Sequence, residues 1–108
     1  MNKDQINVYR NFIHLSDAIA IIDIRLASAS HKIKIKEAAQ KNGSIFLNLR
    51  YIEAIETLKG TIYDVFIPRT AKDVTLILSS DEDKLDEAIN EIEEISDTEI
   101  IIEYRYIK

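Results

Sequence analysis

The sequence predicts an α+β domain, an antiparallel sheet carrying two helices on one face in the order β, α, β, then β, α, β. Three observations lead there. Isoleucine fills 21 of 108 positions, and branching at Cβ favours strands. Two segments, Ser30–Lys41 and Asp81–Ile95, instead space their apolar residues as a helix does. Only Gly43, Gly60 and Pro68 punctuate the chain, and no Ser/Gly-rich linker divides it, so residues 1–108 read as one domain.

Residues 1–16 read as an N-terminal extension. In 4–15 Ile6, Tyr9 or Arg10, and Ile13 recur at helical spacing while Val8, Phe12 and His14 fit period two, so both types stay open. Asp17–Ala27 is a nearly continuous apolar run, as in a central strand buried over most of its length. From Ser30 to Lys41 an alternating Lys32–Lys36 competes with Ile35, Ala38 and Ala39 on one helical face. Good helix formers at 37–40 and the Asn42-Gly43 stop favour the helix. Ser44–Leu49 reads as a short strand. Arg50–Lys59, with Ile52, Ile55 and Leu58 three apart, fits a short helix or a long ordered loop, and 49–63 is taken as a loop insert.

Thr61–Ile67 and Asp73–Ser79, joined by five mostly polar residues after Ile67, predict a hairpin. The second helix is the strongest local expectation: Ser80 caps it, Asp81, Glu82 and Asp83 fill its first turn, and Leu85, Ala88, Ile89, Ile92 and Ile95 form its apolar stripe. Ser96-Asp97-Thr98 is the exit turn. Glu99–Ile107 closes the chain as a strand with Ile100, Ile102, Tyr104 and Tyr106 on one face. The whole string is the ferredoxin-like βαββαβ pattern. Isoleucine on both sides of the last strand requires the second sheet face to be covered, so a homo-oligomer, a trimer, is expected.

Composition excludes several function classes. Without cysteine there is no disulfide scaffold, thiol chemistry or cysteine metal site, and a reducing cytoplasm is the expected location. The apolar run Ala18–Ile22 is far below the ~20 residues of a membrane span, and the first ten residues are too polar for a signal peptide. The net charge of −5 argues against nucleic acid as partner. That average conceals a gradient: residues 1–80 carry 11 basic and 8 acidic side chains, residues 81–108 carry 3 and 11. Lys32, Lys34, Lys36 and Lys41 with Arg25 form a basic cluster, read chiefly as a solvated helix face. The acidic series from Asp81 to Glu94 lacks the glycine and ligand spacing of a calcium loop. Its opposite charge allows attraction between helices or subunits. His14 and His31 have no partner at zinc spacing and no serine sits in a nucleophile elbow, so no enzyme and no metal centre is expected. Tyr104 and Tyr106 suit an interface or a sheet face under helices equally.

Asn42-Gly43-Ser44-Ile45-Phe46, the 15 or so residues that follow, Tyr63-Asp64-Val65-Phe66-Ile67-Pro68 and Asp73–Leu78 leading into Asp83–Ile92 together resemble the P-II nitrogen-regulatory and P-II-like signalling proteins. The resemblance covers about residues 18–107. It implies a cytoplasmic, non-enzymatic homotrimer that senses a small-molecule effector, such as an adenine nucleotide, at subunit interfaces and touches a protein target through a mobile loop. On this reading Asn42, Gly43, Ser44, Arg50 and Lys59 bind the ligand, and Tyr51, Glu53, Glu56 and Thr57 in the loop contact the partner. The chain departs from the family where Ser96–Glu99 lacks the glycine-rich nucleotide motif and where Arg50–Gly60 lacks the tyrosine modification motif. Ala20–Arg25 and Val74–Leu78 are also similar to bacterial microcompartment shell domains, which implies a structural or assembly role as the alternative.

Overall fold

The computed structural model describes residues 3–96 and 98–108, so Asp97 of the expected exit turn lies outside the described residues. In chain order the elements are α1 (Lys3–Leu15), β1 (Ala18–Asp23), α2 (Ala29–Lys41), β2 (Ile45–Leu49), α3 (Tyr51–Leu58), a 3-10 turn (Asp64–Phe66), β3 (Val74–Ser79), α4 (Glu82–Ile95) and β4 (Ile101–Ile107). This is an α+β fold with one four-stranded antiparallel sheet in the order β2-β3-β1-β4. The plain alternation expected from the sequence is interrupted, because α1 precedes β1 and α3 stands between β2 and β3.

Local chemistry sets the boundaries. Ser28 caps α2 by accepting the His31 N–H at 3.2 Å. That helix ends where Gly43 takes φ +74°, a left-handed conformation open to glycine at no steric cost. Asp81, not Ser80, caps α4: its carboxylate accepts the Lys84 N–H at 2.9 Å, one residue nearer the orphan amides than Ser80 can reach.

The apolar run of β1 is continuous because both faces of the sheet are buried. Ala18, Ala20 and Ile22 face α2 and α4, packing with Ile35, Ala39, Leu85, Ala88, Ile89 and Ile92. Ile19 and Ile21 face the other way, among Ile13 of α1, Ala54 and Leu58 of α3, Tyr63, and Leu47, Leu49, Leu76 and Leu78 of the sheet. Over β1 and β3 the second face therefore finds its cover within the chain itself. At roughly 1.5–3 kcal/mol per buried aliphatic side chain, this second layer contributes on the same scale as the first.

Three expectations are corrected. The insert at 49–63 is not a loop throughout: of the two readings of Arg50–Lys59 the short helix is found, Tyr51–Leu58, with Ala54, Thr57 and Leu58 buried. Its C-terminus is held by Arg10 of α1, whose Nη1 donates to the carbonyls of Glu56 at 3.0 Å and Lys59 at 2.7 Å. Thr61–Ile67 does not pair with β3 as a hairpin, because local hydrogen bonds outcompete the ladder. The Gly60 N–H donates to the Asp64 carboxylate at 2.8 Å, the Tyr63 N–H to Thr61 Oγ1 at 3.2 Å, and the Phe66 N–H to the Tyr63 carbonyl at 2.9 Å. Third, β4 does not keep one alternation. Ile102 lies opposite Ile22 and Tyr104 opposite Ile21, so Glu103 is the extra residue of a β-bulge. Ile102 then packs on the α2/α4 side, whereas Tyr104 and Tyr106 lie on the α1/α3 side of the sheet.

Candidate functional site

β4 is an edge strand: it pairs with β1 alone, and no other described strand reaches its outer side. Alternate N–H and C=O groups of such a strand point outward without partners. The other edge, β2, is shorter and exposes only Asn48, whereas β4 exposes Ile101, Tyr104, Tyr106 and Ile107.

Beside β4, on the α1/α3 side, stands an aromatic cluster. Tyr63 is fully buried and its hydroxyl donates to the Ser16 carbonyl at 3.1 Å, which pins the 61–67 segment over the sheet. Its ring meets Tyr106 edge-on at 5.6 Å and 83°, and Phe66 lies 5.3 Å from Tyr104 and 5.9 Å from Tyr106. The rim is apolar and open, with Val65 80% and Tyr104 53% exposed. A shallow concavity of about 230 Å³ runs along it, lined by Phe66, Arg69, Lys72, Glu103 and Tyr104 among others.

Charge is distributed unevenly around this edge. Lys72 pairs with the bulged Glu103, and Arg105 with Asp86 of α4. With 100° per residue, Glu82 and Glu93 fall on the same flank of α4 as Asp86, making a row of carboxylates along the β4 side. The opposite flank of α4 faces α2, where Glu91 meets Lys41 at 3.1 Å. The attraction between the basic and acidic segments is thus partly an intramolecular contact between neighbouring helices.

At the inner end of the strand, Arg25 Nη2 lies 2.8 Å from Asp23 Oδ2. Hydrogen bonding from the Arg25 side chain holds the Asp23 carboxyl below its usual value, aided by the Arg25 backbone N–H and by the charges of Arg25 and Lys72, against the opposing effect of burial. A carboxylate whose folded pKa is depressed stabilises above its unfolded value, and that contribution disappears as pH falls through the carboxylate range. Asp23→Asn is therefore expected to melt below the wild type at pH 7, with the gap closing by pH 2–3. Thermal unfolding at both pH values checks it.

Within one chain the expected ligand residues at the two ends of β2 lie apart. Asn42, Gly43 and Ser44 precede β2 and Arg50 follows it, on the order of 20 Å apart at 3.4 Å per residue. Their polar groups serve the fold. Asn42 Nδ2 donates to the Ala38 carbonyl at 2.8 Å, the Gly43 N–H to Gln40, and the Ser44 hydroxyl lies 2.6 Å from that of Ser79 in a buried pair. Arg50 is tied to Glu53, which accepts its backbone N–H at 3.0 Å and its Nε at 3.3 Å. That backbone bond, with the Arg50 side chain, keeps the Glu53 carboxyl below its usual range. The Lys59 carbonyl is taken by Arg10. Of the expected partner contacts, Tyr51, Glu53 and Glu56 lie on α3 with its surface partly open, but Thr57 is fully buried. Ser44→Ala should cost about 1–3 kcal/mol by orphaning Ser79, and Ser44→Ala with Ser79→Ala much less than the sum. Denaturant unfolding of the three variants reads the difference, and a ligand-contact role for Ser44 predicts no such coupling.

Among the described residues no group of three His, Cys, Asp or Glu side chains is placed to hold a metal, and no helix is long and apolar enough to cross a membrane. The His31 ring meets Glu99 at 2.6 Å between Nδ1 and Oε2, a contact joining α2 to the segment before β4. Sequence reasoning placed the tyrosines of β4 correctly in an aromatic strand but missed the bulge and the Tyr63 anchor. The period-two pattern of 99–107 carries no sign of an inserted residue, whereas the lone tyrosine among apolar residues before Pro68 is a signal that could have marked the anchor. No protein-family model matches the chain, and no curated protein matches it in sequence.

Proposed function

We propose that the protein is a non-catalytic interaction module, a ferredoxin-like βαββαβ core with two added helices, that contacts a partner polypeptide through β4 and the aromatic surface beside it. The ferredoxin-like reading rests on β1 and β3 lying centrally and antiparallel, each followed by a helix on the same sheet face. One observation carries the functional reading. The longest unpaired strand edge is also where Tyr104, Tyr106, Val65 and Ile101 stand open to solvent. A binding role agrees with polar groups that are consumed structurally, and with a His31 ring whose partner is a carboxylate rather than a hydroxyl nucleophile. The effector-and-loop mechanism that the P-II resemblance implies draws no support from α3, a packed helix, or from the separation of Ser44 and Arg50. The argument for a trimer is narrowed to β4, since α1 and α3 cover the second sheet face over β1 and β3 while Tyr104 and Tyr106 stay exposed.

The test is selection of binders from a displayed library of random peptides, followed by mapping of the contact through amide chemical shifts. Peptides that perturb residues 101–107 and lose affinity to Tyr104→Ala or Val65→Ala support the reading. Binders that map to Asn42–Ser44 or to α3 overturn it, as does a thermal shift with adenine nucleotides in a protein that selects no peptide.

A further inference from the structure

We propose that the polypeptide received by β4 is an extended segment in which lysine or arginine alternates with apolar residues. The inference rests on the interaction reading above and adds the partner's chemistry. A strand added to β4 points successive side chains to opposite sheet faces. On the α1/α3 side those side chains meet Tyr104, Tyr106 and the open rim at Val65. On the other side they run past Arg105, alongside the flank of α4 that carries Glu82, Asp86 and Glu93 and reaches β4 through the Arg105–Asp86 pair. The 11 residue steps from Glu82 to Glu93 rise about 16 Å at 1.5 Å each, and alternate strand positions recur about every 7 Å. Two or three basic side chains on one face of the incoming strand therefore match the row. Arg105 already neutralises Asp86 in part, and Glu82 and Glu93 are exposed, so the uncompensated charge lies at both ends of the row.

A second copy of this chain fits less well. Antiparallel pairing of β4 with itself about a two-fold axis keeps corresponding faces on the same side, which sets two rows of α4 carboxylates against each other across the seam. An acidic strand meets the same repulsion. A basic strand replaces it with attraction, which salt would weaken.

The experiment titrates isotope-labelled protein with three capped octapeptides that share valine at alternate positions and carry lysine, threonine or glutamate between them. The lysine peptide is expected to perturb residues 101–107 and to bind about tenfold more tightly than the threonine peptide at low salt, with the glutamate peptide weakest. The Glu82→Gln/Glu93→Gln double variant should erase that order without changing the melting temperature. Equal binding of all three peptides at β4 overturns the charge inference while leaving the interaction reading intact. Absence of perturbation at 101–107 with every peptide overturns both. Concentration-dependent shifts of β4 in protein alone identify a second copy as the occupant and overturn the basic partner.

Discussion

Tyr63→Ala is expected to destabilise the protein by about 3–5 kcal/mol, the range for removing a buried aromatic ring. Tyr63 is fully buried on the α1/α3 side of the sheet, where its ring stacks on Phe66 at 6.3 Å and meets Tyr106 edge-on. Its loss leaves a cavity under the 61–67 segment, lined by Ile13, Leu58 and the sheet, and frees Phe66 from the edge of β4. Tyr63→Phe separates the ring from its hydroxyl. It should cost about 1 kcal/mol, because the Ser16 carbonyl loses its donor while the packing stays. The two variants also differ from wild type at alkaline pH. Burial, with the charge of Asp17 and the nearness of Tyr106, raises the Tyr63 hydroxyl above its ordinary value. A neutral acid whose folded pKa is raised stabilises fully below the unfolded value, about 10, and loses that contribution as pH rises through the folded one. Wild type should therefore lose stability above about pH 10 more steeply than Tyr63→Phe. Denaturant midpoints at pH 8 and pH 11 read it, and equal slopes would place the tyrosine hydroxyl in solvent.

Leu58→Ala should cost about 2–5 kcal/mol, with a larger loss of amide protection in α3 than in β1 or β3. Leu58 is the last residue of α3 and is wholly buried with Ile13, Ile21 and Leu47. A partner-contacting mobile loop at the same position would tolerate the change within about 0.5 kcal/mol, as Ile52→Ala on the exposed side of the helix should. The pair of substitutions thus measures whether residues 51–58 belong to the folded core. A cost below 1 kcal/mol for Leu58→Ala, with amides in α3 exchanging at unprotected rates, would return the segment to a loop.

How much of this was legible beforehand follows from how local each signal is. The apolar run at Ala18–Ile22, the stripe Leu85-Ala88-Ile89-Ile92 and the Asn42-Gly43 stop each express a period or a cap within one element, and each was readable. The segment 50–59 was ambiguous, since three-residue spacing in ten residues suits a turn of helix or an ordered loop. What decides it is Arg10, 40 and more residues earlier, whose guanidinium closes the end of α3. The site was less legible than the fold. Asn42, Gly43 and Ser44 look like a ligand turn in sequence because a helix stop and a ligand cradle use the same small residues. The contact of Ser44 with Ser79, 35 residues away, gives the serine a structural role that the local sequence does not show.

The α+β class, the central strand and the capped acidic helix were determined by the sequence itself, because composition, periodicity and capping act over a few neighbouring residues. The tertiary structure alone decided that the second sheet face over β1 and β3 is covered by α1 and α3, that a bulge at Glu103 turns Tyr104 and Tyr106 toward Phe66, and that the acidic flank of α4 runs beside an open strand edge. Each of these depends on which distant segments meet. An isoleucine pattern states that a face must be buried, and it is silent on whether the cover is a helix of the same chain or a neighbouring molecule.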